Sequence, residues 1–147
     1  MHIQSAIPCQ RPDCIPIGKL KGKKAAGLRY EKQFAAHVTG GLRGQWFAYQ
    51  VRGRTKYCQP DVLVSFFPRA MLVLELKYTF VPEALTKMRQ LYLPVVSKAL
   101  KVPAVGAVVV KNLTPNWIGP ITHDLTETFE AARDGEIPIL HWIGQPV

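Results

Sequence analysis

Cysteine is scarce in this chain: three residues, Cys9, Cys14 and Cys58, in 147. An odd and sparse set argues against a disulfide scaffold and makes a reducing, intracellular (cytoplasmic) compartment the expectation. Long apolar runs are missing as well. The longest, Val102 to Val110, is interrupted by Pro103 and Gly106 and falls well short of the ~20 residues that a bilayer demands, so no membrane partner is expected. Residues 1–26 carry Pro, Lys and Arg where a signal peptide would have its apolar core. There is no internal repeat and no low-complexity tract. The four histidines (His2, His37, His123, His141) show no metal-ligand spacing, and Cys9 and Cys14 lack the second nearby pair of a zinc site.

Acidic residues are nearly absent from the first 60 positions. Only Asp13 and Glu31 stand there against 11 Lys and Arg, a net of +9, whereas residues 61–147 hold eight basic and eight acidic groups. All the excess positive charge therefore lies before Asp61. A basic surface so polarised concentrates polyanions, which points to nucleic acid or an anionic membrane surface; the alternative is solubilising charge with no partner. Hydrophobic residues at 48% against 20% charged rule out wholesale disorder. A length close to ~150 residues corresponds to one domain.

Residues 1–26, punctuated by Pro8, Pro12, Pro16, Gly18 and Gly22, read as an irregular basic arm ahead of one domain over 27–147. Leu28 to Val38 reads as a helix, with Leu28, Glu31, Phe34, Ala35 and Val38 on one face and Gly40-Gly41 at its end. Glu31 sits inside that apolar arc, where a carboxylate needs a positive partner. Gln45 to Val51 reads as a strand and Arg52 to Lys56 as a basic turn. The alternating Trp46, Phe47 and Tyr49 suit either core packing or stacking on unpaired bases.

Asp61 to Phe67 is a second strand, closed by Pro68, and Met71 to Thr79 a third. The third is apolar on both faces, as a covered central strand should be. Yet it carries Glu75 and Lys77, two residues apart and therefore on the same face. Charges there need each other, a metal or a ligand. Glu83 to Leu100 reads as an amphipathic helix, started by Pro82 and kinked or split by Pro94. Its apolar stripe is Ala84, Leu85, Met88, Leu91, Tyr92, Val95 and Ala99; Lys87, Gln90, Lys98 and Lys101 share the other side. Ala104 to Val110 reads as a buried strand. Asp124 and Glu127 form a capping box for a helix ending before Gly135. Ile137 to Ile143 reads as a last strand, with Pro138 placing it at an edge.

The charged residues in buried settings are then Glu31, Asp61, Glu75 and Lys77. If they converge, their excess negative charge calls for a divalent cation, and all-oxygen ligands favour Mg²⁺, with Mn²⁺ able to substitute, over zinc. Such an ion suits phosphodiester hydrolysis, in keeping with the basic first third. No organic cofactor is called for.

Pro60 and Asp61 opening one strand and Glu75-Leu76-Lys77 on the next resemble the PD-(D/E)xK nuclease superfamily. The helix carrying Glu31 before them, and the helix and buried strand after, match in order the α-β-β-β-α-β restriction-endonuclease-like core over residues 27 to 111. The resemblance implies an α/β fold: a mixed sheet flanked by helices, with an appended C-terminal helix and strand. It implies that Asp61 and Glu75 are metal ligands with the backbone carbonyl of Leu76, that Lys77 is the catalytic lysine, and that Glu31 helps hold or orient metal and water. The activity implied is a Mg²⁺-dependent deoxyribonuclease. The small size, the Lys-rich lead-in with Lys23 and Lys24, and the basic turn before Asp61 look like archaeal-type and phage Holliday-junction resolvases, which act in recombination and repair as homodimers. They imply a structure-selective or non-sequence-specific endonuclease. Gln90 is similar to the glutamine of RecB-type exonuclease domains, the alternative reading, although Pro94 stands where those have an aromatic residue. A catalytically silent DNA-binding subunit is the alternative from another class. Arg43, Arg52, Arg54 and Lys56 are the preferred phosphate contacts, joined by Lys23, Lys24 and Gln90 as nucleic-acid-binding candidates.

Overall fold

The computed structural model describes residues 2–13, 23–38, 40–115 and 117–144. The fold is α/β. A six-stranded mixed sheet has the order β2(Gly41–Arg43), β5(Val62–Phe66), β6(Ala70–Thr79), β7(Ala104–Asn112), β9(Ile139–His141), β8(Ile121–Thr122). β5 runs antiparallel to both of its neighbours, β2 and β6, whereas β6, β7, β9 and β8 run parallel. A second, three-stranded antiparallel sheet has the order β1(Ser5–Cys9), β3(Trp46–Val51), β4(Arg54–Cys58).

Alternation along β5 and β6 divides the core. Val62, Val64, Leu72, Leu74 and Leu76 pack with Tyr30, Phe34 and Val38 of α1(Lys23–His37) and with Phe129 and Ala132 of α4(Leu125–Arg133). Leu63, Val73, Val108 and Val110 face the other way, onto Met88, Tyr92, Val95 and Val96. The inner side of the small sheet, with Ala6, Phe47, Tyr49 and Cys58, closes over that second cluster. The helical segment from Glu83 to Leu100 is thus clamped between two sheets.

That segment is α2(Glu83–Lys87), a π turn over Met88–Tyr92 and α3(Leu93–Leu100). The N–H of Leu93 reaches the carbonyl of Met88, five residues back. Pro94 explains the widening: it has no N–H to donate to the turn before it, and a π turn accommodates that gap inside a helix. Pro94 neither splits the element nor ends it.

Four expectations need correction. Ser5–Cys9, inside the supposed irregular arm, is a strand paired along its length with β3; its one proline is tolerated because β1 lies at the edge of its sheet. Gln45–Val51 joins this small sheet instead of supplying the first strand of the large one, a place taken by three-residue β2. The basic turn shrinks to Arg52 and Gly53, both with positive φ (52° and 72°), and Arg54 and Lys56 belong to β4. Finally, β9 is interior, because β8 pairs outside it. The Asp124 cap is present: its Oδ1 accepts the Glu127 N–H at 2.8 Å.

Candidate active site

The β5–β6 hairpin builds the site. Val62 lies opposite Leu74, so one more residue of the same register sets Asp61 across from Glu75. The Leu76 N–H donates to Asp61 Oδ2 at 2.7 Å, which fixes the carboxylate at the mouth of the strand. Glu75 is 4% exposed, on the face that meets the π turn. Its Oε1 lies 3.5 Å from Lys77 Nζ. Its Oε2 is buried with no hydrogen-bond partner among the described residues, a condition shared only by Trp117 Nε1.

Burial raises the pKa of Asp61, and the negative charge of Glu75 raises it further; the Leu76 N–H, Lys77 and Lys87 pull it back only in part. Burial likewise raises the pKa of Glu75, against Lys77 and Lys87. The two carboxyls therefore hold protons more tightly than free carboxylates, the signature of uncompensated negative charge in a poorly solvated place. Tyr92, buried on the π turn, is held in its phenol form by burial and then by the charges of Glu75 and Asp61. Lys87 stands over the Tyr92 ring, its Nζ 5.1 Å from the centroid.

Asp61, Glu75 and Lys77 are thus together. Leu76, expected to offer its carbonyl, contributes its N–H to Asp61. Glu31 stands beside this group, within electrostatic reach of Asp61. It lies on α1, over the sheet face opposite Glu75, and its Oε1 accepts from Arg43 Nε at 3.1 Å. Arg43 is brought there by β2, where it pairs with Val62. Burial raises the Glu31 pKa, and Asp61 adds to the effect while Arg43 opposes it; Glu31 is therefore a neighbour of the pair, tied elsewhere. Among the described residues no three His, Cys, Asp or Glu gather as a metal-binding group. Two carboxylates are a set that fits Mg²⁺, which is commonly held by one or two of them together with substrate phosphates; the orphaned Oε2 of Glu75 and the all-oxygen donors agree with that ion rather than with zinc.

Sequence pattern alone does not place Lys87 and Tyr92 at this site. Periodicity puts Tyr92 on the apolar stripe of its helix and Lys87 on the solvent side, and only the tertiary fold turns them to the carboxylates. Of the nucleic-acid candidates, Arg52, Arg54 and Lys56 line a groove of about 810 Å³ with His2, Gln4 and Val51. Arg54 and Lys56 stand across from Val51 and Tyr49 and lie four and two residues before Cys58 on β4, so with Cys58 they share the inner face of the hairpin that covers the helix. Burial pushes the Cys58 thiol up to about 12 and Lys87 partly offsets it, which puts Lys87 between the basic hairpin and the carboxylates. Arg43 is engaged by Glu31, and Gln90 is exposed on the π turn. Lys23 and Lys24 begin α1, and their side chains lie outside the described residues, as does Cys14. Phe47 and Tyr49 are buried and are core, not base-stacking platforms. Cys9 and Cys58 are free thiols. No helix is long and apolar enough to cross a membrane among the described residues. Compared with family models, with curated proteins and with solved structures, the chain matches none.

Proposed function

We propose that the chain is a Mg²⁺-dependent nuclease of the PD-(D/E)xK kind, with a restriction-endonuclease-like core, acting on DNA as a structure-selective or non-sequence-specific endonuclease. The observation that carries the reading is Glu75, a neighbour of Asp61 with Lys77 on its Oε1, whose Oε2 is buried with no hydrogen-bond partner among the described residues. A carboxylate left in that state costs stability, and such strain is commonly found where a ligand is to be bound.

In this reading Asp61 and Glu75 would hold Mg²⁺, with Leu76 contributing its backbone carbonyl. When bound, the ion supplies Lewis-acid stabilisation of the scissile phosphate and a more acidic water. Asp61 is positioned for its part by the Leu76 N–H. The Lys77 ammonium, tethered to Glu75 and 35% exposed, orients the attacking water and offsets charge on the phosphate oxygens. Lys87 adds a second cation on the same face, and Arg54 and Lys56 extend the positive track along which a phosphate backbone would lie.

The test is a cleavage panel with Mg²⁺ on linear, circular single-stranded, duplex and four-way-junction DNA, run beside Glu75→Ala. Cutting of closed circles by the wild type alone supports the endonuclease; cutting only from ends supports an exonuclease; an active Glu75→Ala chain ends the assignment. The tie of Glu31 to Arg43, which engages the third carboxylate away from Asp61 and Glu75, favours one second reading, a DNA-binding subunit that no longer cuts, which predicts binding without cleavage of any substrate.

A further inference from the structure

On the opposite face of the sheet from Glu75, a separate pocket of about 230 Å³ opens at the ends of β6 and β7, lined by Arg29, Tyr30, Gln33, Tyr78, Lys111 and Ile143. We infer that it is a phosphate-binding subsite for a single nucleotide. The alternation that points Lys77 toward the carboxylates points Tyr78 the other way, where Lys111, at the same end of β7, meets it. Lys111 Nζ is 3.5 Å from the Tyr78 hydroxyl and 5.0 Å from the ring centroid. An ammonium and a hydroxyl are thereby held side by side, and Tyr30 packs edge-on against Tyr78 at 6.1 Å to fix the ring. The Tyr30 hydroxyl donates to the carbonyl of Trp142 at 2.6 Å, so Tyr30 serves the pocket as wall, not donor.

Among the described residues no carboxylate lines the pocket, and neither Arg29 nor Lys111 forms an ion pair. Two unneutralised cations, a hydroxyl and an amide facing one cavity are the donor set that recognises phosphate oxygens. The 39% exposed Tyr78 ring and the exposed Ile143 side chain supply apolar surface for a sugar or base. The volume lies below the ~300–1,000 Å³ of pockets that take drug-sized ligands, which limits the occupant to about one nucleotide. This site does not depend on cleavage and would stand in a protein that never cuts.

The experiment is titration of the full chain, in Mg²⁺-free buffer, with thymidine 5′-monophosphate and with thymidine, followed by calorimetry and by emission of Trp142, which packs on Tyr30 at 5.4 Å. The monophosphate is expected to bind at least ~10-fold tighter than the nucleoside, as the loss of charged hydrogen bonds implies. Lys111→Met and the surface variant Arg29→Ala should each weaken it by about the same factor, while Arg133→Ala leaves it unchanged. A 5′-phosphorylated oligonucleotide separates the two sources of this chemistry. If its affinity falls with Lys111→Met as the mononucleotide's does, the pocket takes strand ends; if only the mononucleotide responds, it takes free nucleotides. Equal affinity for thymidine and its monophosphate, or full affinity in both variants, overturns the subsite. Repeating the titration on Glu75→Ala keeps this outcome separate from that of the nuclease reading: affinity there is expected to equal that of the wild type, and its loss overturns the independence of the pocket.

Discussion

Asp61 reaches across the β5–β6 hairpin to accept the Leu76 N–H at 2.7 Å, and this one bond holds its carboxylate near Glu75, whose Oε2 has no partner among the described residues. The ladder alone would leave Asp61, one residue outside β5, free to turn to solvent. Tied down, it adds a second negative charge to a place where Lys77, and Lys87 beyond it, compensate only in part.

The first consequence is a stability that depends on pH and on divalent ions. Both carboxyls have folded pKa values raised above the ~4 of the unfolded chain, so the folded state binds their protons more tightly. The stabilisation is full below about pH 4 and is lost as pH rises through the raised values. Without divalent ions, the melting temperature should fall between about pH 5 and pH 8, by about 3 °C for each kcal/mol lost, and fall less in Glu75→Gln. Comparing the two proteins isolates the contribution of Glu75 from that of every other group. Mg²⁺ should restore the loss at about pH 8 and do little at about pH 5, where protons compete for the same oxygens. Parallel melting curves for the two proteins would remove the uncompensated pair.

Cleavage and binding should separate. Glu75→Gln and Lys77→Ala are expected to lower the rate of DNA cutting by at least about a hundredfold, with the DNA dissociation constant changed by no more than about threefold, since phosphate contacts elsewhere carry affinity. Glu75→Gln should also fold at least as well as the wild type, because it removes a buried charge with an unsatisfied oxygen. Gel-shift and single-turnover assays on the same DNA check both halves. A Lys77→Ala chain that cuts normally would reduce the Glu75–Lys77 contact to a self-satisfying pair.

The hairpin makes a different prediction. Arg54 and Lys56 sit on the inner face of β4 along the groove, where they would meet backbone phosphates, not base edges. Replacing both by Ala should weaken binding similarly on unrelated sequences. It should also flatten the slope of log K against log salt by about one for each phosphate no longer neutralised. An unchanged slope would mean that the groove is not on the DNA path.

Much of the large sheet is readable in the sequence because its signals are local. Pro68 after Phe67, the doubly apolar Met71–Thr79, the Val-rich 104–110 and the Asp124 cap each declare themselves within a few residues. The site is partly readable for the same reason: Glu75 and Lys77 are out of place in a covered strand. What escapes depends on contacts between distant segments. Pro8 hides β1, because proline argues against a strand unless the strand lies at an edge, and edge position is a property of the whole sheet. Arg52 takes positive φ in a two-residue turn, where Asn or Gly is the usual signal, so the hairpin reads as loop. Glu31 suggests itself as a member of the carboxylate group because it needs a positive partner; that partner is Arg43, 12 residues on, supplied by a three-residue strand too short to register. Lys87 and Tyr92 reach the site through a π turn, which has no period of its own in the sequence.

That π turn has a tight fit against β7, which yields the last prediction. Gly106 faces Met88, and a Cβ placed there would come within 2.6 Å of the sulfur and 2.7 Å of Cγ. Met88 is fully buried, so its side chain has little room to retreat and the turn itself must move. Gly106→Ala should therefore destabilise the fold by about 1–3 kcal/mol, the usual effect of overpacking, read from urea unfolding. Because Lys87 precedes Met88 and Tyr92 closes the turn, the same substitution should also reduce DNA cutting, although it touches no charged group. Adding Met88→Ala removes the colliding atoms, and the double variant should lose less stability than the two single losses together. Strictly additive losses would show that Gly106 and Met88 do not press on one another, and the π turn would then need another cause for its position against the sheet.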